Sequence, residues 1–259
     1  MIDFSLRMGV FFSVLILLLI WQALALRSPL PKWRQRWWHN GLLLVLGALC
    51  VRLFQPILFA VIASLSPQRF FLDFLGWPFW TTLIIGVLVL DCLIYWQHRL
   101  FHQVPILWRL HRVHHTDTEL DTSSAVRFHP VEIGLSLIIK ASVIWLLGIP
   151  LEVVLLFDIL LNASAMFNHT NVRLPNALEG RVKTLLVTPD MHRIHHSRIA
   201  QEANSNYGFC LSIWDRLFAS YTQQAKGGDE AINIGLPDTK TYEVSSFKAL
   251  LLMPLKNFK

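Results

Sequence analysis

Residues 8–26 read MGVFFSVLILLLIWQALAL, nineteen positions without a charged side chain. At 1.5 Å per residue, such a run crosses the roughly 30 Å of a bilayer's hydrocarbon as one helix. Ala23-Leu24-Ala25 resembles a signal-peptide cleavage site, but two features argue against a leader. The apolar stretch is too long, and RSPLPKWRQRWW follows it, with Arg27, Lys32, Arg34 and Arg36 resisting translocation. The expectation is a retained helix with its N-terminus outside.

The pattern repeats. Residues 41–65 are apolar, interrupted by Arg52, which must face protein, water or a snorkelling route, and by Pro56, which should kink the helix. A short outer turn, SPQRFFLDFLG, leads to a third span from Trp77 to Gln97. Trp77 and Trp80 mark one end of it, Tyr95 and Trp96 the other, as at two membrane interfaces. Residues 131–148 and 151–168 are apolar again, divided by GIP at 148–150, and are short enough to form either two crossings or a penetrating hairpin. With a mean hydropathy of +0.46 and 15% charged residues, the chain reads as an all-α integral membrane protein. It should have four to five transmembrane or membrane-penetrating helices below a cytosolic helical cap. The net charge of +6 fits basic cytoplasmic loops; no basic face with interleaved aromatics suggests nucleic acid. Cys50, Cys92 and Cys210 form neither a disulfide framework nor a Cys-x-x-Cys pair and read as small buried hydrophobes.

Ten of the eleven histidines fall in the polar segments that follow the apolar ones. His98 and His102 are four apart, so a helix presents both on one face. His111, His114 and His115 sit at i, i+3 and i+4, and His192, His195 and His196 repeat that spacing. His129 in RFHPVE and His169 in FNHTN flank apolar segments, while His39 stands apart beside Trp37 and Trp38. Imidazoles crowded among Arg99, Arg109, Arg112 and Arg193 must be held neutral, and a metal does this by occupying their lone pairs. Ten nitrogens exceed one ion's needs, so two ions with roughly four to five nitrogens each are expected. Iron is the functional choice, because a nitrogen-rich site with open positions activates dioxygen; zinc is able to occupy the site on overexpression. A structural zinc site would close with four ligands, typically including cysteine. Two other readings are a histidine-rich metal-binding or transport protein and a bis-histidine haem protein. The first expects ligands at mid-membrane, the second paired histidines on facing spans.

The boxes HRLFH, HRVHH and HRIHH resemble those of the fatty acid hydroxylase/sterol desaturase superfamily of membrane di-iron enzymes. The strings WRLHRVHHTDTELDTSSAVRFHPVE, NHTNVRLP, TPDMHRIHHS and NYGFCLSIWDRLFASY extend the likeness. The likeness covers residues 85–221 and implies there a catalytic domain with a cap holding a dinuclear metal site; residues 1–84 read only as N-terminal transmembrane helices and 222–259 as a tail. It implies O2-dependent hydroxylation or desaturation of a membrane lipid, whether sterol, fatty acyl, ether lipid or carotenoid-like. Electrons must then come from a separate donor (reductase, ferredoxin or cytochrome), since no nucleotide or haem signature is present. The compartment expected is a bacterial inner membrane, or the endoplasmic reticulum in a eukaryote, with the C-terminus cytoplasmic. The ligands implied are His98, His102, His111, His114, His115, His129, His169, His192, His195 and His196. Asp91, seven residues before His98, together with Asp117, Asp190 and Asn206, are candidates to orient the imidazoles. Glu119 and Glu132 are weaker candidates of the same kind.

Overall fold

The structure is a computed structural model and describes residues 2–64, 75–237 and 246–256. The outer turn expected at 66–76 lies almost wholly outside those residues. The long helices are α1 (Ile2–Leu24), α2 (Trp33–Ser64), α3 (Phe79–Gln103), α5 (Pro130–Leu147) and α6 (Leu151–His169). All five are long and apolar enough to cross a membrane. Between α3 and α5 lie α4 (Pro105–His115) and a 3-10 turn at Thr122–Val126. Beyond α6 come the short helices α7 (Asn176–Val182), α8 (Pro189–His195), α9 (Ala200–Ala203), α10 (Ile213–Leu217) and α11 (Phe247–Leu252).

The second helix begins at Trp33, well before the apolar run starts at 41, so most of the expected basic loop is helical. Pro29 and Pro31 precede it, and the next proline is Pro56, through which the helix continues. Its charged first turns have acceptors in the cap: Arg36 Nε donates to Asp117 Oδ1 at 2.5 Å, and Arg36 lies 2.7 Å from Asp121 Oδ2. Asn40 completes the junction, its carbonyl oxygen accepting from the fully buried Arg127 guanidinium at 2.8 Å.

Five helix ends thus meet one cap. Gln22 near the end of α1 accepts from the backbone N–H groups of Thr122 and Asn171. The start of α2 is tied as above, the end of α3 carries His98, the start of α5 carries Glu132, and α6 ends at His169. Chain direction therefore alternates from one long helix to the next. Helix α2 packs on α5, α1 on α6, and α3 on both α4 and α6. Gly148, at φ +68° in the left-handed region, ends α5 and lets Pro150 open α6. The buried core between α3 and α6 consists of Leu90, Ile94, Ile149, Val153 and Phe157.

The tail, for which the sequence suggested no structure, packs instead. Leu250 and Met253 join Leu43 of α2 and Val113 of α4 in a second buried cluster, and Arg112 donates to the carbonyls of Met253 and Lys256.

Gly86 of α3 lies tightly against α6: a Cβ there would sit 2.7 Å from Val153 Cγ1, whereas one at Gly9 of α1 would meet nothing within 4 Å. Gly86→Ala should therefore destabilise the detergent-solubilised protein by about 1–3 kcal/mol. Gly9→Ala should leave the melting temperature unchanged or slightly raised. Thermal melts of the two variants side by side test this.

Candidate metal centre

Nine of the ten histidines converge in two adjacent groups. His98, His102, His111, His115 and His195 form one, and His114, His169, His192 and His196 the other; within each, one nitrogen per ring lies within 4.8 Å of all the rest. Each HXXHH box is divided between the groups. Consecutive helical residues point about 100° apart, so His114 and His115 cannot aim at one point, nor can His195 and His196. His111 and His115, four apart on α4, therefore share the first group, while His192 and His196 share the second. The groups touch: the His115 and His196 rings stack with centroids 4.2 Å apart.

Most rings have their outer nitrogen held by the protein. His98 Nδ1 donates to the Tyr207 carbonyl at 2.7 Å, and His195 Nδ1 to the Ser205 carbonyl at 2.8 Å. His111 Nδ1 donates to Glu132 Oε1 at 2.6 Å, and His114 Nδ1 to the Arg127 carbonyl at 3.3 Å. His169 Nδ1 donates to Ser124 Oγ at 2.9 Å, because that hydroxyl is itself committed to the Asp121 carbonyl. Each such bond fixes the tautomer that leaves the Nε2 lone pair facing inward. The inward atoms have no protein partner in most cases: Nε2 of His98, His102, His111, His114, His115 and His195 is buried and unbonded. In the second group, His192 Nε2 lies 2.9 Å from His169 Nε2 and 3.1 Å from His196 Nε2. One ring N–H cannot serve both neighbours, so this packing suits nitrogens gathered on a shared cation better than a hydrogen-bond chain. An unpaired buried acceptor costs about 1–3 kcal/mol, and the donor set of neutral imidazoles fits first-row transition metals.

Four expected roles come out differently. His129 lies apart from both groups: its Nδ1 caps α5 by accepting from the Val131 N–H, and its Nε2 faces the Leu251 carbonyl at 3.2 Å. Asp91 bonds no histidine. It accepts from Trp214 Nε1 at 2.8 Å and from the backbone of Leu211 and Cys210, pinning the 210–214 segment to α3. Asp117 pairs with Arg36, and Asp190 with Arg27. Asn206 acts through its neighbours. Its φ of +53°, tolerated by asparagine, turns the chain so that Ser205 and Tyr207 on either side offer their carbonyls to His195 and His98. Its side chain bonds the Met191 carbonyl and the backbone of Thr222.

Asp215, which the sequence reading passed over, holds that turn from beneath. It accepts from the N–H groups of Tyr207 at 2.7 Å and Gly208 at 2.9 Å and from Ser220 Oγ at 2.7 Å. Burial pushes its carboxyl up to about 6 despite these donors. A Cβ on Gly208 would lie 2.8 Å from Asp215 Oδ2 and from the Leu211 carbonyl, so only glycine fits. The one sequence signal was the string NYGFCLSIWDRLFASY itself.

Two cavities reach the first group from opposite sides. One, of about 650 Å3, runs among α1, α2, α5 and α6 and ends at His98 and His111, with Phe11, Val14, Leu44, Val51, Ile133 and Met166 in its walls. The other, about 470 Å3, reaches His102 and His115 from the cap beside Trp108 and Arg198.

Asp215→Ala and Glu132→Ala should each weaken metal retention by about 10–100-fold, whereas His129→Ala should retain metal. Losing the cap at His129 should cost only about 0.5–2 kcal/mol in a thermal melt. Competition with a chromophoric chelator reads the first effect. A second expectation concerns pH. Burial, reinforced by neighbouring imidazoles, lowers His114, His115, His195 and His196 well below their ordinary value, and burial takes His111 and His192 to about 3. The unfolded chain takes up these protons near about 6.5 and the folded chain does not, so stability is present above that pH and lost as pH falls towards 3. The metal-free protein should melt at steeply lower temperature as pH drops from about 7 to 5; an unchanged melting temperature across that range would contradict the buried, neutral assignment.

Comparison with known proteins agrees with this architecture. The chain is 30% identical over 158 residues to the ornithine lipid hydroxylase of Rhizobium tropici, covering 61% of this chain and 47% of that protein. It is 30% identical over 177 residues to the alkylglycerol monooxygenase of Homo sapiens, 66% of this chain and 35% of that one. A fatty acid hydroxylase of a Lecanicillium species is 28% identical over 165 residues, 58% and 45% of the two chains. The matched region thus spans about half or less of each relative's length. No solved structure matches the chain. The fatty acid hydroxylase model matches residues 83–220, which hold both histidine groups and the loop that orients His98 and His195: the chain belongs to the fatty acid hydroxylase family.

Proposed function

We propose that the chain is a membrane-bound lipid hydroxylase that uses O2 and two irons. His98, His102, His111, His115 and His195 would hold one iron, and His114, His169, His192 and His196 the other. The observation that carries this reading is the cavity of about 650 Å3: mostly apolar, bounded by membrane-spanning helices, and ending at the unbonded Nε2 atoms of His98 and His111. An alkyl chain lying there needs no water and brings its C–H bonds to the metal-binding nitrogens. When bound, a pair of such ions supplies O2 activation and oxidation of an unactivated C–H bond.

The protein's own part is positional. Tyr207, Ser205, Arg127 and Glu132 keep four rings in the required tautomer, and the hydrocarbon walls of α1, α2, α5 and α6 keep water from the reacting carbon. The activities for which the relatives are named, hydroxylation of ornithine lipid and monooxygenation of alkylglycerol, favour hydroxylation over desaturation for this chain. A metal-transport reading would want ligands at mid-depth of the helices. Here both groups sit where the helix ends meet the cap. Electrons would come from a separate donor at the cap. The Lys/Arg bias of the segments on that side favours a cytoplasmic cap with the N-terminus outside, in a bacterial inner membrane.

Anaerobically purified protein, loaded with iron and given a membrane lipid extract and a chemical reductant, should consume O2 and release a lipid one oxygen atom heavier. His98→Ala and His196→Ala should each lower that turnover by at least about 100-fold. Iron-loaded protein that consumes no O2 with any lipid fraction would overturn the reading.

A further inference from the structure

The far end of the large cavity is charged. Asp158 lies on α6 eleven residues before His169, about 16 Å from the cap end of that helix. Its Oδ1 accepts from Lys140 Nζ of α5 at 2.6 Å, and its Oδ2 from Arg7 of α1. Arg7 and Asp158 both line the cavity, and so do Arg52 and Gln55 of α2 and Asn162 of α6. Arg52 has no hydrogen-bond or ion-pair partner among the described residues. Arg7 and Lys140 therefore share one carboxylate within the membrane-spanning helices, and Arg52 adds a third cation on the wall of the same cavity. Among the described residues, the one other acid lining the cavity, Glu132, is at the opposite end and bound to His111.

Neutralising the carboxylate needs one cation, not two, and Arg52 takes no part in that ion pair. Each charge inside a span is costly unless it is compensated. The surplus of positive charge faces a space whose remaining walls are mostly hydrocarbon, with the uncharged amides of Gln55 and Asn162 among them. Neutral heads such as an alcohol or a sterol hydroxyl would leave that surplus standing; a carboxylate or phosphate would neutralise it with charge-assisted bonds to the guanidinium.

We propose that Arg52, with Arg7 and Lys140 behind it, forms the head-group subsite for a lipid bearing a single anionic head. The alkyl chain then runs along the cavity toward His98 and His111. Oxidation falls on the chain about 15 Å from the head, not beside it. This deepens the lipid-hydroxylase reading and rests on its assignment of the cavity to the substrate.

The test is equilibrium binding to the full chain in nanodiscs of a zwitterionic phospholipid. The probes are radiolabelled hexadecanoate, hexadecyl phosphate and hexadecanol, three equal chains with different heads. The wild type should bind one or both anionic probes at least about tenfold tighter than the alcohol. Arg52→Gln should abolish the difference, and Arg52→Lys should keep most of it, with melting temperature and iron content unchanged in both. Preference for the carboxylate alone or the phosphate alone would identify the head. Equal binding of all three probes by the wild type, or a preference that survives Arg52→Gln, would sink the head-group subsite while leaving the cavity as a chain site. Binding of none of the probes would remove the cavity from the substrate path, and the reading beneath it as well.

Discussion

Nine imidazoles packed without solvent are stable only if each has its proton on the outer nitrogen and something to share the inner lone pair. Everything else in this molecule serves that condition. A charged imidazolium is excluded by burial and by its neighbours, as the depressed proton affinity of the cap histidines shows. A neutral ring in the wrong tautomer would point a hydrogen at the centre. The outer acceptors therefore decide the chemistry, and most are backbone carbonyls or a hydroxyl rather than carboxylates; Glu132 on His111 is the exception.

Those acceptors must be held rigidly, and the cap achieves this with a continuous buried polar web. Arg127 joins the Val113 carbonyl, Thr116 and Asn40, so the helix carrying one box is fastened to the membrane helix α2. Arg36 ties that same helix to Asp117 and Asp121, and Asp121 caps the 3-10 turn whose Ser124 orients His169. Asp91 and Asp215 do the equivalent for the loop behind His98 and His195. The membrane helices are thus more than an anchor: their cap-side ends supply His98, His102, Glu132 and His169, and their flanks enclose the cavity.

Much of this was legible in the residues. Uncharged runs of sufficient length give helices in lipid, and all five expected spans are helical. The i, i+3, i+4 spacing gives convergence of rings. Roles that depend on tertiary partners were not legible. His129 precedes a proline at the start of a helix, and at that position a ring acts as a cap; its spacing from an apolar run looked no different from that of His169. Asp117 and Asp190 sit beside box histidines in sequence, yet arginines from the α1–α2 region, 81 and 163 residues away, claim them. Backbone carbonyls carry no side-chain signature, so the turn at Asn206 could be suspected from NYG but its use as a double acceptor could not. The charged end of the cavity was half visible: Arg52 stood out in an apolar run, but its place on one cavity wall with Arg7 and Asp158 required the fold.

The central claim is that the two histidine groups are two metal sites of unlike composition, five nitrogens in one and four in the other. Mössbauer spectroscopy of protein reconstituted with isotopically enriched iron tests it most directly. The account predicts two distinct iron signals of equal intensity, with that of the five-nitrogen site perturbed when the loop orienting His98 and His195 is loosened by Asp215→Ala. A single iron signal at one ion per chain, unchanged by that substitution, would contradict it.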